Sequence, residues 1–192
     1  QANEALEKLN TWFRANMLAL NIGKTTYCIF KKNSNVNNIS NNNLIIDNKT
    51  IERVDNTKYL GITIDELLSF QKHIENVINS IKKYCGIFYK FRNKLPFNCL
   101  KTIYFAMIHS QLYYGIEIYG NTTKAYLDPL LKMNNKILRV LQNKPLRTPV
   151  EILYKNYNTL QIPQLRDLAI VCLVHKFVHN VKELPEIYHH YF

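Results

Sequence analysis

The chain has 192 residues, enough for one sizeable core or two small ones, and its apolar fraction of 47% argues for folding and against disorder. Its 25 Lys and Arg against 14 Asp and Glu leave a formal charge of +11, an excess that points to polyanions: nucleic acid first, an anionic membrane surface second. No run approaches the roughly 20 apolar residues that span a bilayer, and the polar, acidic start "QANEALEKLN" is unlike a signal peptide, so a soluble protein inside the cell is expected, nuclear and cytoplasmic sites being indistinguishable.

The chain opens within a helical pattern, without an initiator Met, as expected of a piece of a longer chain. Leu6, Leu9, Phe13, Met17 and Leu20 recur at helical spacing and predict a helix over Ala5–Leu20; Gly23 in "LNIGKT" then breaks it before a β-prone run from Thr26 to Phe30. The Asn-rich tract "KKNSNVNNISNNN" reads as a flexible insertion between strands. From Leu44 short strands and turns follow: "LIID", a turn at "NK", "TIERV", a turn at "DNT", and "KYLGITI", whose Leu60, Ile62 and Ile64 would share one face at period two.

After Asp65 the period becomes 3.6. From Lys72 to Lys94, steps of about 100° per residue put Ile74, Val77, Ile78, Ile81, Cys85 and Phe88 on one side of a helix. Lys72, Asn76, Asn79, Lys83, Lys90 and Lys94 take the opposite side, with Tyr84, Tyr89 and Phe91 interleaved. Pro96 ends this helix. A second is expected from about Asn98 through Leu100, Ile103, Tyr104, Met107 and Ile108, before the aromatic segment "LYYGIEIYG". A third spans Lys124–Leu141, and a fourth starts at Thr148 as N-cap with Pro149 at the first helical position. A fifth, from Pro163, is apolar nearly all round and is expected at the centre of the helical region. The pattern is α+β: one helix and short antiparallel strands, then an all-helical part.

No nucleophile elbow, phosphate-binding Gly-rich loop, His-Glu-x-x-His or paired aspartates on a strand turn occurs, so a self-contained catalytic centre is not expected. Cys28, Cys85, Cys99 and Cys172 show no Cys-x-x-Cys spacing and read as plain thiols. His175 and His179, four apart on a helix, would form half a metal site; spacing suggests no third ligand, so they read as a packed or surface pair, and no metal site is assigned. A lysine-rich helix face is most often simply solvated, but the interleaved aromatics and the overall charge favour nucleic acid.

Two stretches carry a resemblance. "NMLALNIGKTTYCIF" resembles the block that follows the catalytic aspartates in reverse transcriptases of LINE-type (non-LTR) retrotransposons, with Asn16, Leu18, Leu20, Asn21, Lys24 and Thr25 filling its pattern. "KYLGITID" is similar to the next block of that family, the primer-grip hairpin, through Tyr59, Leu60, Gly61, Ile62, Ile64 and Asp65. "LLSFQKHI", "LYYGIEIYG" and "NNKILRVL" resemble its thumb and connector segments, with Phe70 and Tyr119 where Trp often stands.

The resemblance implies the C-terminal part of a palm over residues 1–65, a helical thumb over 66–145 and a helical connector over 146–192. It implies an RNA-directed DNA polymerase whose catalytic aspartates lie upstream, with Mg²⁺ needed by the full-length enzyme and none held by this chain alone. The implied partners are an RNA template, a DNA primer and the upstream fingers and palm of the same polyprotein. Tyr59, Leu60, Gly61 and Ile62 would hold the primer end on a stiff hairpin, with Gly61 allowing close backbone approach. Lys72, Lys83, Lys90 and Lys94 would lie along the hybrid's phosphates. Lys24 has two readings, a contact to the leaving pyrophosphate that acts as general acid or a plain surface lysine. Tyr59 would otherwise pack its hairpin against the palm, and Asp65 reads as the N-cap of the turn leading into "ELLSF", fixing the angle between hairpin and thumb. The competing reading is a non-catalytic nucleic-acid-binding remnant or domesticated RNA-binding module.

Overall fold

The computed structural model describes residues 1–32 and 43–179; residues 33–42 of the Asn-rich insertion and the histidines at 189 and 190 lie outside the described residues. The chain divides into two units, Gln1–Lys72 and a second that begins at His73.

In the first unit, helix α1 spans Ala2–Ala15 and stops five residues before the apolar periodicity does. Met17 takes a left-handed conformation (φ 54°), its N–H reaches the carbonyl of Arg14 at 3.1 Å and that of Leu18 reaches Phe13 at 2.9 Å, the paired bonds that close a helix when the residue after its C-cap turns left-handed. Met17, expected on the buried side, is therefore 96% exposed.

Strand β1 is only Thr26–Tyr27, shorter than the run to Phe30. β2 (Ile45–Ile46) and β3 (Lys49–Thr50) form a hairpin whose loop is Asp47–Asn48, one residue before the expected "NK" turn. Both loop residues have positive φ (50° and 58°), the geometry whose twist matches paired strands. Asp47 also ties the hairpin to α1, accepting hydrogen bonds from Arg14 at 2.6 Å and Asn10 at 2.7 Å. β4 (Glu52–Arg53) pairs in parallel with β1. β5 (Asn56–Tyr59) and β6 (Ile62–Asp65) form the longest ladder, four residue pairs. Among the described residues, Ile46, Ile51 and Ile62 are the buried apolar side chains of this unit.

"KYLGITI" is therefore not one strand with a common face. The chain reverses at Leu60–Gly61 (φ 45° and 87°), and "DNT", read as a turn, contributes Asn56 and Thr57 to β5. Leu60 is 72% exposed at the tip while Ile62 is 6% exposed beneath it. Period-two reasoning fails here because a two-residue turn inverts the side on which the apolar residues fall.

The second unit is helical. α2 (Gln71–Phe91) buries His73, Ile74, Val77, Ile81 and Phe88 and ends three residues before Lys94. α3 (Phe97–Tyr104), a π-helical turn at Phe105–His109 and α4 (Ser110–Tyr113) follow one another without a break. Leu100, Tyr104, Ile108 and Leu112 are all buried at intervals of four. Such spacing drifts by about 40° per step in an α-helix; the wider π turn takes the drift back and keeps the four on one side. Met107, expected in the core, is left exposed by that adjustment.

α5 (Ile116–Tyr119) starts after left-handed Gly115 and is followed by Gly120, where a Cβ would collide with the Ile116 carbonyl oxygen and lie 3.1 Å from Arg166 Cγ. α6 (Lys124–Leu141) matches its expected bounds. α7 (Val150–Tyr157) begins one residue late, with Pro149 itself as the N-cap, so Thr148 does not cap it. α8 (Ile162–His179) buries only Ile162, Leu165 and Ala169. It is not central: Leu168, Val171, Leu173, Val174 and Val178 are exposed, and an all-round apolar sequence carries no signal of which side is covered.

Asn134 of α6 is fully buried, accepting a hydrogen bond from the Tyr104 hydroxyl (3.3 Å) and donating to that of Tyr154 (3.0 Å). The sequence pattern, read for apolar residues only, passed over this polar centre. Burial pushes the Tyr104 hydroxyl up to about 12, so it remains a donor at any physiological pH.

Candidate nucleic-acid interface

A helix with one apolar and one cationic side separates them as it folds, because water opposes burial of an ammonium far more than of a methylene. In α2 the buried residues cover one arc, and Lys72, Lys83 and Lys90 are exposed on the other. Lys82, on the flank of that arc, is exposed as well. Lys94 is exposed but lies beyond the helix, where its N–H bonds to the Phe91 carbonyl at 2.9 Å. Lys72 belongs to the first turn of α2 and to the first unit; Lys83, Lys90 and Lys94 belong to the second.

The aromatics interleaved with these lysines differ in role. Tyr84 is half-buried and its ring stacks on Phe88 at 6.1 Å, so it serves packing. Tyr89 is 50% exposed, with the Arg92 guanidinium 4.7 Å from its ring centroid, and Phe91 is exposed too. The Arg92 guanidinium covers one face of the half-exposed Tyr89 ring, so a cation and an accessible aromatic edge lie together. Lys82 and Arg92 were not singled out by sequence reasoning; Arg92 lies just past α2 and below the resolution of a helical pattern.

In the first unit, Tyr59, Leu60 and Gly61 come together at the β5–β6 tip, with Tyr59 65% exposed. Ile62 supports the tip from below and presents no surface to a ligand. Gly61 is required by its left-handed φ, since a side chain there would be strained, which is a reason within the turn and different from close approach of a second backbone.

Asp65 caps the turn into "ELLSF", as its position suggests; α2 starts six residues later, with Ser69 Oγ accepting from the Gln71 N–H. Its carboxylate gathers that loop. Oδ1 accepts from the Leu67 and Ser69 amides (3.1 and 3.0 Å), and Oδ2 from the Phe70 amide (2.7 Å) and the Ser69 hydroxyl (3.2 Å). Leu68 and Phe70 are held at positive φ in this loop. Lys24 ends a 3₁₀ turn at Ile22–Lys24 and is exposed. An open cleft beside that turn is lined by Asn21, Gly23, Lys49 and Thr50, among others.

Comparison with known proteins adds a lineage. The chain is 31% identical over 113 residues to the RNA-directed DNA polymerase from mobile element jockey of Drosophila melanogaster, a match covering 57% of this chain and 12% of that protein. It is 26% identical over 103 residues to the jockey polymerase of Drosophila funebris (52% and 11%), and 24% identical over 99 residues to a probable RNA-directed DNA polymerase from transposon X-element of Drosophila melanogaster (50% and 11%). The chain is related to RNA-directed DNA polymerases of LINE-type mobile elements. It spans about one-eighth of the length of these relatives. No family model and no solved structure matches it.

A divalent metal is usual in such polymerases. Among the described residues, no three His, Cys, Asp or Glu side chains converge on a common point, so the residues present do not fit a magnesium centre. His175 and His179 approach with ring centroids 4.2 Å apart, still a pair without a third ligand among the described residues. Among the described residues, no helix is long and apolar enough to cross a membrane.

Proposed function

We propose that this chain is the hybrid-holding part of a LINE-type reverse transcriptase. α2 lies along the sugar–phosphate backbone of an RNA/DNA hybrid, and the exposed tip of the β5–β6 hairpin supports the primer end. Residues 1–65 then act as the C-terminal part of the palm, 66–145 as thumb and 146–192 as connector. The observation that carries the reading is the exposure of Lys72, Lys83 and Lys90 opposite the buried arc of α2, in a chain related to polymerases that use such a substrate.

The physical task fits those parts. Phosphate contacts through lysine are indifferent to sequence, which suits an enzyme that must move along any template. A two-residue turn on a four-pair ladder is stiff, which suits the placing of a reacting end within a fraction of an ångström. The Asp65 carboxylate orders the loop that follows the hairpin through four hydrogen bonds.

Binding of a blunt RNA/DNA hybrid, measured over a series of salt concentrations, tests this. Replacing Lys72, Lys83 and Lys90 together by Ala should flatten the slope of log K against log salt by about 2 to 3, three phosphate contacts at roughly 0.7 to 0.9 each. An unchanged slope would remove α2 as the contact surface.

A further inference from the structure

The exposed side of α2 is interrupted by a glycine. Gly86 sits well inside the helix, where glycine is the weakest helix former after proline, and nothing within the protein demands it. A Cβ built there meets no atom within 4 Å, so no neighbour approaches closely, and Gly86 is absent from the glycines with positive φ. Replacement by alanine would cost the fold nothing and strengthen the helix.

The residues around Gly86 suggest what the bare backbone accommodates. On a helix, the surface neighbours of a residue lie three and four positions away on either side. For Gly86 these include Lys82, Lys83, Tyr89 and Lys90, all exposed. Among the described residues none of the three lysines has an ion-pair partner. The Tyr89 ring is steadied by Arg92 through the cation–π contact described above. A patch of uncovered helix backbone is thus ringed by three ammonium groups and an aromatic ring.

We propose that Gly86 forms a notch in which one sugar–phosphate unit of a nucleic-acid strand seats directly against the α2 backbone. Lys82, Lys83 and Lys90 meet its phosphates and the Tyr89 ring flanks its sugar or base. The proposal rests on the nucleic-acid reading of α2 and adds a specific point of closest approach. The ammonium groups recognise the phosphate charge. The missing side chain recognises the thickness of the strand, since even a methyl group holds the backbone further away.

Gly86→Ala and Gly86→Leu, made in the whole chain, test it with two readouts of opposite sign. Both variants should melt higher, by roughly 2 to 4 °C, because each improves the helix at an exposed position. Both should bind RNA/DNA hybrid more weakly, by about 3-fold for alanine and about 10-fold or more for leucine, in order of side-chain size. A more stable helix that binds less well cannot be explained by damage to the fold. Higher melting with unchanged hybrid affinity would overturn the notch while leaving the lysine stripe standing. A wild-type chain that shows no salt-dependent binding of hybrid would overturn both readings. Tighter binding of poly-glutamate than of hybrid, lost in the same variants, would assign the notch to an acidic peptide and overturn it as a nucleic-acid seat.

Discussion

The two units of this chain are held together in different ways. The helical unit buries long side chains from every one of its long helices, and Tyr104, Ile108, Leu112, Leu130, Ile137 and Leu138 are fully inaccessible. Among its described residues the first unit has strands of two to four residues, three separate two-stranded ladders and only Ile46, Ile51 and Ile62 as buried apolar side chains. Its order comes mainly from turns and a few polar ties: left-handed turns, the Arg14–Asp47–Asn10 hydrogen bonds, the Lys31–Glu66 ion pair at 2.9 Å and the Asp65 loop. A deep core specifies a fold by volume, whereas a shallow one relies on turn geometry and hydrogen bonds that single substitutions can undo.

The largest effect should come from the deep core. Ile81→Ala is expected to cost the helical unit about 3 to 5 kcal/mol in denaturant unfolding, because a fully enclosed site cannot collapse around the lost atoms. Ile51→Ala should cost the first unit less, roughly 2 kcal/mol, since its thin surroundings relax more readily. Equal costs would mean that the two cores are not different in kind.

Gly120→Ala comes next, with an expected loss of about 1 to 3 kcal/mol, as the added methyl meets the Ile116 carbonyl and the Arg166 stem. Here conformation is not the reason, since Gly120 has φ −70°. The contrast with Gly86 is direct: one glycine is required by its neighbours and the other by none.

The smallest effect concerns the polar lock of the first unit. Hydrogen bonds from Arg14 and Asn10 hold the Asp47 carboxyl below its ordinary range. Its folded value being depressed, the contact contributes fully above the usual carboxylate pKa and is lost as pH falls through the folded value. Acidification toward pH 3 should therefore loosen α1 from the β2–β3 hairpin, seen as a drop in the protection of the Ile45 and Ile46 amides once the intrinsic pH dependence of exchange is divided out, and Asp47→Asn should blunt that drop. Equal protection of these amides at pH 6 and pH 3 in the wild-type chain would show that the lock carries no weight.

Much of the helical half was legible in the sequence. The apolar side of α2 and the bounds of α6 follow from a 3.6-residue period sustained over many turns. The errors have local causes. Met17 lies at apolar spacing but forms the helix stop, the π turn after Tyr104 shifts Met107 to the surface, and α8 is too uniformly apolar to show a side. Asn134 was missed because its value lies in two tyrosine hydroxyls 20 and 30 residues away, which no periodicity encodes. In the strand region the turn at Leu60–Gly61 was visible as a glycine, yet the period-two pattern across it was misleading. Of the candidate interface, the lysine stripe could be read directly; the gap at Gly86 is visible as a glycine inside a helical pattern, a signal that needs the surrounding space to interpret.

Lysine acetylation followed by mass spectrometry, with and without bound RNA/DNA hybrid, probes the surface itself. Hybrid should protect Lys72, Lys83 and Lys90 several-fold while Lys124 and Lys155, also exposed, on α6 and α7, react as before. Protection of Lys124 and Lys155 with none at the three α2 lysines would show that nucleic acid lies on a different surface and that α2 is merely solvated.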